Sequence, residues 1–281
     1  MNIINNENLF LIFLGIVWII GAILQDVRRR EVDNIWNFSL IAFALAYRMF
    51  FSIFSNNYWF FLNGMIGFFL FLILGNLFYY GRLFAGGDAK LVIALGTILP
   101  LSYDWFINAK IFMIFIGSFL AGGSFYVLLY SFVLILFNFD KFLREYKKQF
   151  VKYKHYFIWS FLFVFLFGFL IYFFNKNMVL SSLIFFLFPT LFVFARAVEE
   201  SCMVKKVSVN NLTVGDWLYE DLYLNGKTIR KNWEGISLKD LKLIRKKYNR
   251  KVLVKYGVPF TPSFFIGFLT VLYFANKAIL I

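Results

Sequence analysis

Seven stretches of this chain are apolar over roughly the length of a bilayer crossing: Leu9–Leu24, Ile35–Phe54, Tyr58–Tyr80, Phe106–Phe137, Phe157–Phe174, Met178–Ala195 and Phe260–Ile281. Crossing a hydrocarbon layer as a helix takes about 20 predominantly apolar residues. A strand could not replace the helix there, because in lipid each backbone N–H and C=O must be paired within its own segment or in a closed barrel. Leu91–Pro100 is shorter and reads as a further, tilted crossing. The composition is of the same kind: 61% of the 281 residues are hydrophobic and 42 are Phe, a density suited to lipid rather than to a water-soluble globule. The expected fold class is therefore a polytopic α-helical membrane protein with about 6–8 transmembrane helices.

The formal net charge of +14 would suit a nucleic-acid binder if it were spread over one face. Instead the basic residues fall almost entirely in alternate loops: Arg28–Arg30; Arg82 and Lys90; Lys141 to Lys154; and Arg196 to Lys255. The loops between them, Ser55–Asn57, Leu101–Trp105 and Asn175–Asn177, carry Lys176 alone. Positive loops stay on the cytoplasmic side, so the four basic loops are expected there and the N-terminus outside. Eight crossings satisfy that alternation. The surplus of charge is thus topology, with some attraction to anionic lipid; the lipid bilayer is the expected environment, and no nucleic-acid partner is expected. The apolar run at the start lacks a basic leader and a small-residue cleavage site, so it reads as a retained helix.

One cysteine, Cys202, and one histidine, His155, leave no CxxC zinc site and no disulfide within the chain. No metal and no cofactor is expected. The polar stretch Val198–Gly257 reads as a small cytoplasmic α+β domain: Asn225-Gly226 in "DLYLNGKTI" is a hairpin signal, Ser237 with Asp240 opens a helix, and "KVLVKY" is strand-like. This divides the chain into a membrane part at 1–197, the small domain at 198–257 and a final helix at 258–281, which Pro259 and Pro262 introduce.

Most of the fifteen acids lie in loops or in the polar stretch. Asp26, at the end of the first apolar run, and Asp88, just ahead of Leu91, lie at the membrane boundary on one side. An acid at such depth is costly and marks function. Two carboxylates in one site share a proton, because like charges a few ångströms apart do not both ionise. Such a pair can take a proton from water and polarise a carbonyl at the same time. Gly86 and Gly87, lacking Cβ atoms, suit an irregular loop that presents Asp88. Asp33 is read as a cap of the second helix. Gly64, Gly67 and Gly75 are read as small residues for close helix packing.

The segments "AGGDAK" and, upstream of it, "QDVRRREVDN" resemble the type IV prepilin peptidase group of GxGD membrane aspartyl proteases, and in particular its archaeal preflagellin and prepilin peptidases. Gly87, Asp88 and Lys90 match the GxGDxK loop, with Ala85 in place of the first glycine. Asp26 is followed by Val32, Asp33 and Asn34, with Asp33 where the family has proline. The resemblance covers about Gly15 to Pro100. It implies an Asp26/Asp88 dyad, with Gly86, Gly87, Lys90 and Asn34 supporting it. It also implies cleavage of class III signal peptides from preflagellin- or prepilin-like preproteins at the cytoplasmic face of the cell membrane. The two-CxxC domain of the methylating bacterial relatives is missing, so no N-methyltransferase activity is expected. A proton- or cation-coupled transporter using the same acids is the alternative; it would place them nearer the midplane and show inverted repeats. A non-enzymatic scaffold would leave Gly86-Gly87-Asp88 without a purpose, and the Pro-Ala-Leu motif of presenilin-like proteases is absent.

Overall fold

The computed structural model describes residues 5–224 and 227–277, so the hairpin turn expected at Asn225-Gly226 lies outside the described residues. Among the described residues six helices are long and apolar enough to cross a membrane: α1 (Asn6–Arg29), α2 (Asn34–Phe54), α3 (Trp59–Tyr80), α5 (Trp105–Phe137), α7 (Lys154–Phe174), and the stretch Lys176–Cys202, a 3₁₀ segment running into α8 (Leu187–Cys202). Between them lie two shorter helices, α4 (Gly86–Gly96) and α6 (Phe139–Lys152). The chain is a polytopic helical membrane protein. It falls into two compact units, residues 1–129 with 258–281, and residues 130–257.

In the first unit α1 and α2 are locked by a reciprocal tryptophan pair. Trp18 Nε1 donates to the Trp36 carbonyl at 3.0 Å and Trp36 Nε1 to the Trp18 carbonyl at 2.9 Å, and the rings stack with centroids 5.1 Å apart. Each indole N–H is thereby satisfied in an apolar setting. The core beyond them mixes Leu, Ile, Val and Ala with large aromatics: Phe71, Phe115, Phe119, Phe264 and Phe268 are all essentially inaccessible.

The expected crossing at Leu91–Pro100 is α4, and it is only 11 residues long, about 16 Å. Eleven residues do not cross alone, but residues 97–101 continue the segment, from Gly87 beside Val32 past the end of α1 to Leu101 beside Asn8 at its start; along it Leu91, Val92, Ala94 and Leu95 are fully covered. Gly67 of α3 explains how α4 fits. A Cβ on Gly67 would lie 2.2 Å from the Gly96 carbonyl oxygen, so α3 approaches the end of α4 backbone to backbone, in keeping with a small residue chosen for close packing.

A short helix ending inside a bundle leaves its last carbonyls without partners. Arg48 of α2, fully buried, supplies the donors. Its Nε donates to Thr97 O at 2.8 Å, Nη2 to Ile98 O at 3.1 Å and to Pro100 O at 2.6 Å, and Nη1 to Phe60 O at 2.9 Å. Asn8 Nδ2 donates to Leu101 O, and Asn63 and Asn108 donate to Ser102 O. The guanidinium charge thus sits at the negative end of the α4 dipole. Side chains from α1, α2, α3 and α5 all hold this one turn.

The second unit contains α6, α7 and α8, followed by a small α+β region. Strands β1 (Val204–Val207), β2 (Trp217–Leu218) and β5 (Val252–Lys255) form an antiparallel sheet in the order β1-β5-β2, while β3 (Leu222–Leu224) and β4 (Lys227–Ile229) pair as a hairpin. Ser237 caps α9 (Leu238–Lys247), its Oγ accepting from the Asp240 N–H at 3.2 Å, as the Ser-x-x-Asp pattern predicts. Leu241, Ile244, Val252 and Val254 close a separate hydrophobic core. The sheet is tied to α8 by the Lys255–Glu199 ion pair and by the Tyr219 hydroxyl, which donates to Glu200 at 2.5 Å.

Replacing Arg48 with leucine would strand the carbonyls of Phe60, Thr97, Ile98 and Pro100. The expected loss is about 3 kcal/mol or more, seen as a lower melting temperature of the purified protein in detergent. An unchanged melting temperature would mean that those carbonyls find other donors.

Candidate active site

The α1 helix runs to Arg29 and is stopped by Arg30, which takes a left-handed conformation (φ 60°) and donates its N–H to Asp26 O at 2.8 Å. A non-glycine residue in that region is uncommon. It turns the chain sharply, so residues 31–33 lead straight into α2. Asp26, in the last turn of α1, is 7% exposed. Its Oδ2 accepts the Thr261 backbone N–H at 3.1 Å and the Thr261 hydroxyl at 3.0 Å, and the Phe260 backbone also donates to the carboxylate. Thr261 is the N-cap of α10 (Pro262–Asn276), whose first residue is the proline read as a helix entrance. The carboxylate therefore sits on the free N–H groups of a helix start, where a negative charge is favoured. Arg30 lies near enough for its charge to act on Asp26.

Asp88 comes from α4, near enough for the charge of Asp26 to act on it. Gly86-Gly87-Asp88, expected as an irregular loop, instead forms the first turn of α4, with Ala85 extended at the N-cap (φ −68°, ψ 161°). The reason is local. Asp88 is the third helical residue, and its carboxyl takes a backbone hydrogen bond from Ala85, the acid half of a capping box. The close approach falls at Gly87: a Cβ there would lie 3.3 Å from Val32 N and 3.5 Å from Val32 O. A Cβ there would crowd the connection between α1 and α2. At Gly86 the nearest atom would be 3.7 Å away, an ordinary contact that does not demand glycine.

Two more contacts fix α4 to the start of α2. Lys90 Nζ donates to Asn34 Oδ1 at 2.5 Å, and Asn37 Nδ2 donates to the Gly87 carbonyl at 3.2 Å. Asn37 is fully buried and its Oδ1 has no hydrogen-bond partner. Phe84, just ahead of the turn, packs on Phe260 and Phe264 with ring centroids 5.4 Å and 5.9 Å away. The segments carrying Asp88 and Thr261 are thus in direct contact.

Asp88 lies outside the six spanning helices. The residue as a whole is half-buried, but its carboxyl is enclosed. That burial, then the charge of Asp26 beside it, pushes the carboxyl up to about 7, against the Ala85 hydrogen bond. Asp26 and Asp88 are therefore both buried carboxyls that differ in their donors: Asp26 accepts from Thr261 and Phe260, whereas Asp88 has the Ala85 backbone N–H. Of the remaining residues singled out in the sequence, Gly86, Gly87, Lys90 and Asn34 all gather here. Asp33 occupies the N-cap position of α2 without capping it. Its carboxylate turns to Arg29 at 3.4 Å and its N–H donates to Gln25 Oε1 at 2.9 Å. Among the described residues no group of three His, Cys, Asp or Glu is placed to hold a metal.

Residues 12–137 match the model of the type IV leader peptidase family. Over that segment the chain is similar to the type IV leader peptidases. Asp26, Asp88 and α4 all lie inside the family segment, whereas Thr261 lies outside it. Similar curated proteins are the preflagellin peptidase of Methanococcus maripaludis, 35% identical over 88 residues, and that of Methanocaldococcus jannaschii, 28% identical over 87 residues. Each match covers 31% of this chain and 37% of the relative, so the chain aligns with little more than a third of either one. No solved structure matches the chain at a comparable significance.

Thr261 was not legible as a partner of Asp26, being 235 positions away; the signal present was a hydroxyl residue directly before the Pro262 helix start. Thr261→Val keeps the volume and removes one hydrogen bond to a carboxylate. It should cost about 1.5–3 kcal/mol in thermal unfolding, while Thr261→Ser should stay near the wild-type value.

Proposed function

We propose that this chain is a membrane aspartic endopeptidase. It removes the leader of preflagellin- or prepilin-like preproteins at the cytoplasmic face of the cell membrane, without methyl transfer. The observation that carries the reading is the enclosed Asp88 carboxyl with Asp26 as its charged neighbour, inside the segment that matches the type IV leader peptidases. The positive loops support the cytoplasmic side.

In this mechanism the two carboxyls hold one proton between them. Asp88 carries it, because the protein around it offers little to stabilise a charge. Asp26, ionised and held by Phe260 and Thr261, accepts a proton from a water as the water oxygen bonds to the scissile carbonyl carbon. Asp88 gives its proton to the carbonyl oxygen at the same step, so no separated charge builds up on the intermediate. Collapse breaks the C–N bond. The proton on Asp26 passes to the leaving nitrogen, and one from the diol oxygen returns to Asp88. Both acids regain their starting states. Gly87 and Asn37 set the position of Asp88, and Lys90 with Asn34 braces α4 against α2.

Asp26→Asn and Asp88→Asn should each lower cleavage of a preflagellin-like substrate in membranes about a thousandfold or more, with insertion and expression unchanged. Asp33→Asn, whose partner is an exposed arginine, should stay within about twofold, since exposed pairs contribute little. Normal processing by either dyad variant would remove the assignment.

The pH dependence has a definite sign. Asp88 works protonated and its carboxyl lies at about 7, so kcat/KM should fall as pH rises through about 7 and that proton is lost. On the acid side it should fall once Asp26 becomes protonated. A rate that keeps rising well above neutrality would contradict the acid role of Asp88.

A further inference from the structure

The loop from Asp140 to His155, read in the sequence as a basic connection, is largely a helix. The 14-residue α6 runs Phe139–Lys152 and lies outside the segment matched to the peptidase family. A single residue, Asn138, joins it to the spanning helix α5, and a single residue, Tyr153, joins it to the spanning helix α7. With such links at both ends, a helix about 21 Å long has no room to leave the membrane surface.

Its faces are sorted. Phe142, Tyr146 and Gln149 point inward, with Phe142 against Phe194 of α8. Beside them, Phe139, Leu143 and Phe150 form an outward apolar stripe, exposed by 53%, 39% and 43%. Lys141, Arg144, Lys147, Lys148 and Lys152 occupy the remaining arc together with Val151, exposed by 67%, five bases against the two acids Asp140 and Glu145. Lys148 pairs with Glu145 at 3.3 Å. A helix with an uncovered apolar stripe bordered by lysine and arginine suits the boundary between headgroups and acyl chains. The long basic side chains can reach outward to phosphates while their stems lie along the apolar layer.

We propose that α6 is an interfacial lipid-binding helix. Phe139, Leu143 and Phe150 dip into the acyl boundary, and Lys141, Arg144, Lys147, Lys148 and Lys152 hold anionic headgroups. This role is independent of the peptidase reading. It rests on the covalent pinning between two spans, the exposed apolar stripe and the net positive arc.

The test uses the full-length protein with Cys202→Ala as background, reconstituted in vesicles. An environment-sensitive fluorophore is attached at Leu143→Cys and, separately, at Lys147→Cys. Nitroxide-bearing lipids should quench the label at 143 several-fold more than the label at 147, and aqueous iodide should show the opposite order. Quenching at 143 should be greater in vesicles containing phosphatidylglycerol than in pure phosphatidylcholine. Combining Lys141→Glu, Arg144→Glu and Lys152→Glu should abolish that lipid difference. If iodide reaches 143 as well as it reaches 147, the stripe does not enter the membrane and the proposal fails. Equal nitroxide quenching at 143 in both lipids, without the charge substitutions, would overturn the headgroup role.

Discussion

Arg48 is the interaction on which the membrane unit depends. A cation buried in an apolar bundle is costly unless its donors are all used, and here it finds no carboxylate but four main-chain oxygens. Three of them belong to the turn that ends α4. Without that capping, an 11-residue helix inserted among spanning helices would end in unpaired carbonyls, each costing about 1–3 kcal/mol. With it, α4 has a fixed floor, and its other end is held at the height of the α1–α2 connection.

Small distances govern that other end. Gly87 passes close to the Val32 backbone, where a Cβ would be a tight fit, Asn37 holds the Gly87 carbonyl, and Lys90 holds Asn34. Each contact ties the start of α4 to the segment that leaves α1. Asp88 is near enough for the charge of Asp26 to act on it, because the end of α1 and the start of α4 are tied to the same short stretch of chain. Their differing environments have distinct sources: α10 brings N–H donors to Asp26, whereas Asp88 has a single turn of its own helix. Under the proposed mechanism that asymmetry separates the base from the acid.

Much of this arrangement is legible in the sequence. The apolar runs mark the spanning helices because bilayer thickness leaves few choices, and Ser237 and Pro262 mark helix starts through chemistry that is local. Gly86–Asp88 differs from the irregular loop expected there for a reason that is also local: two glycines suggest a turn, and the backbone hydrogen bond from Ala85 to Asp88 makes it a helix start. Asp33 has the right residue type and position for a cap, but Arg29 and Gln25 draw it away. Arg48 leaves no usable signal, since a lone arginine in an apolar run does not say which carbonyls it will meet.

The amino-acid order alone determined that the chain crosses a membrane several times, which loops carry positive charge, and that two acids stand at helix ends near the boundary. Those properties depend on hydrophobicity and charge within windows of a few turns. Only the tertiary structure decided that the α4 helix ends at Gly96, that Arg48 caps it, and that Thr261 from the far end of the chain receives Asp26. Such pairings are set by which backbones can approach and which buried polar groups must be satisfied, and both are properties of the packed bundle rather than of any one segment.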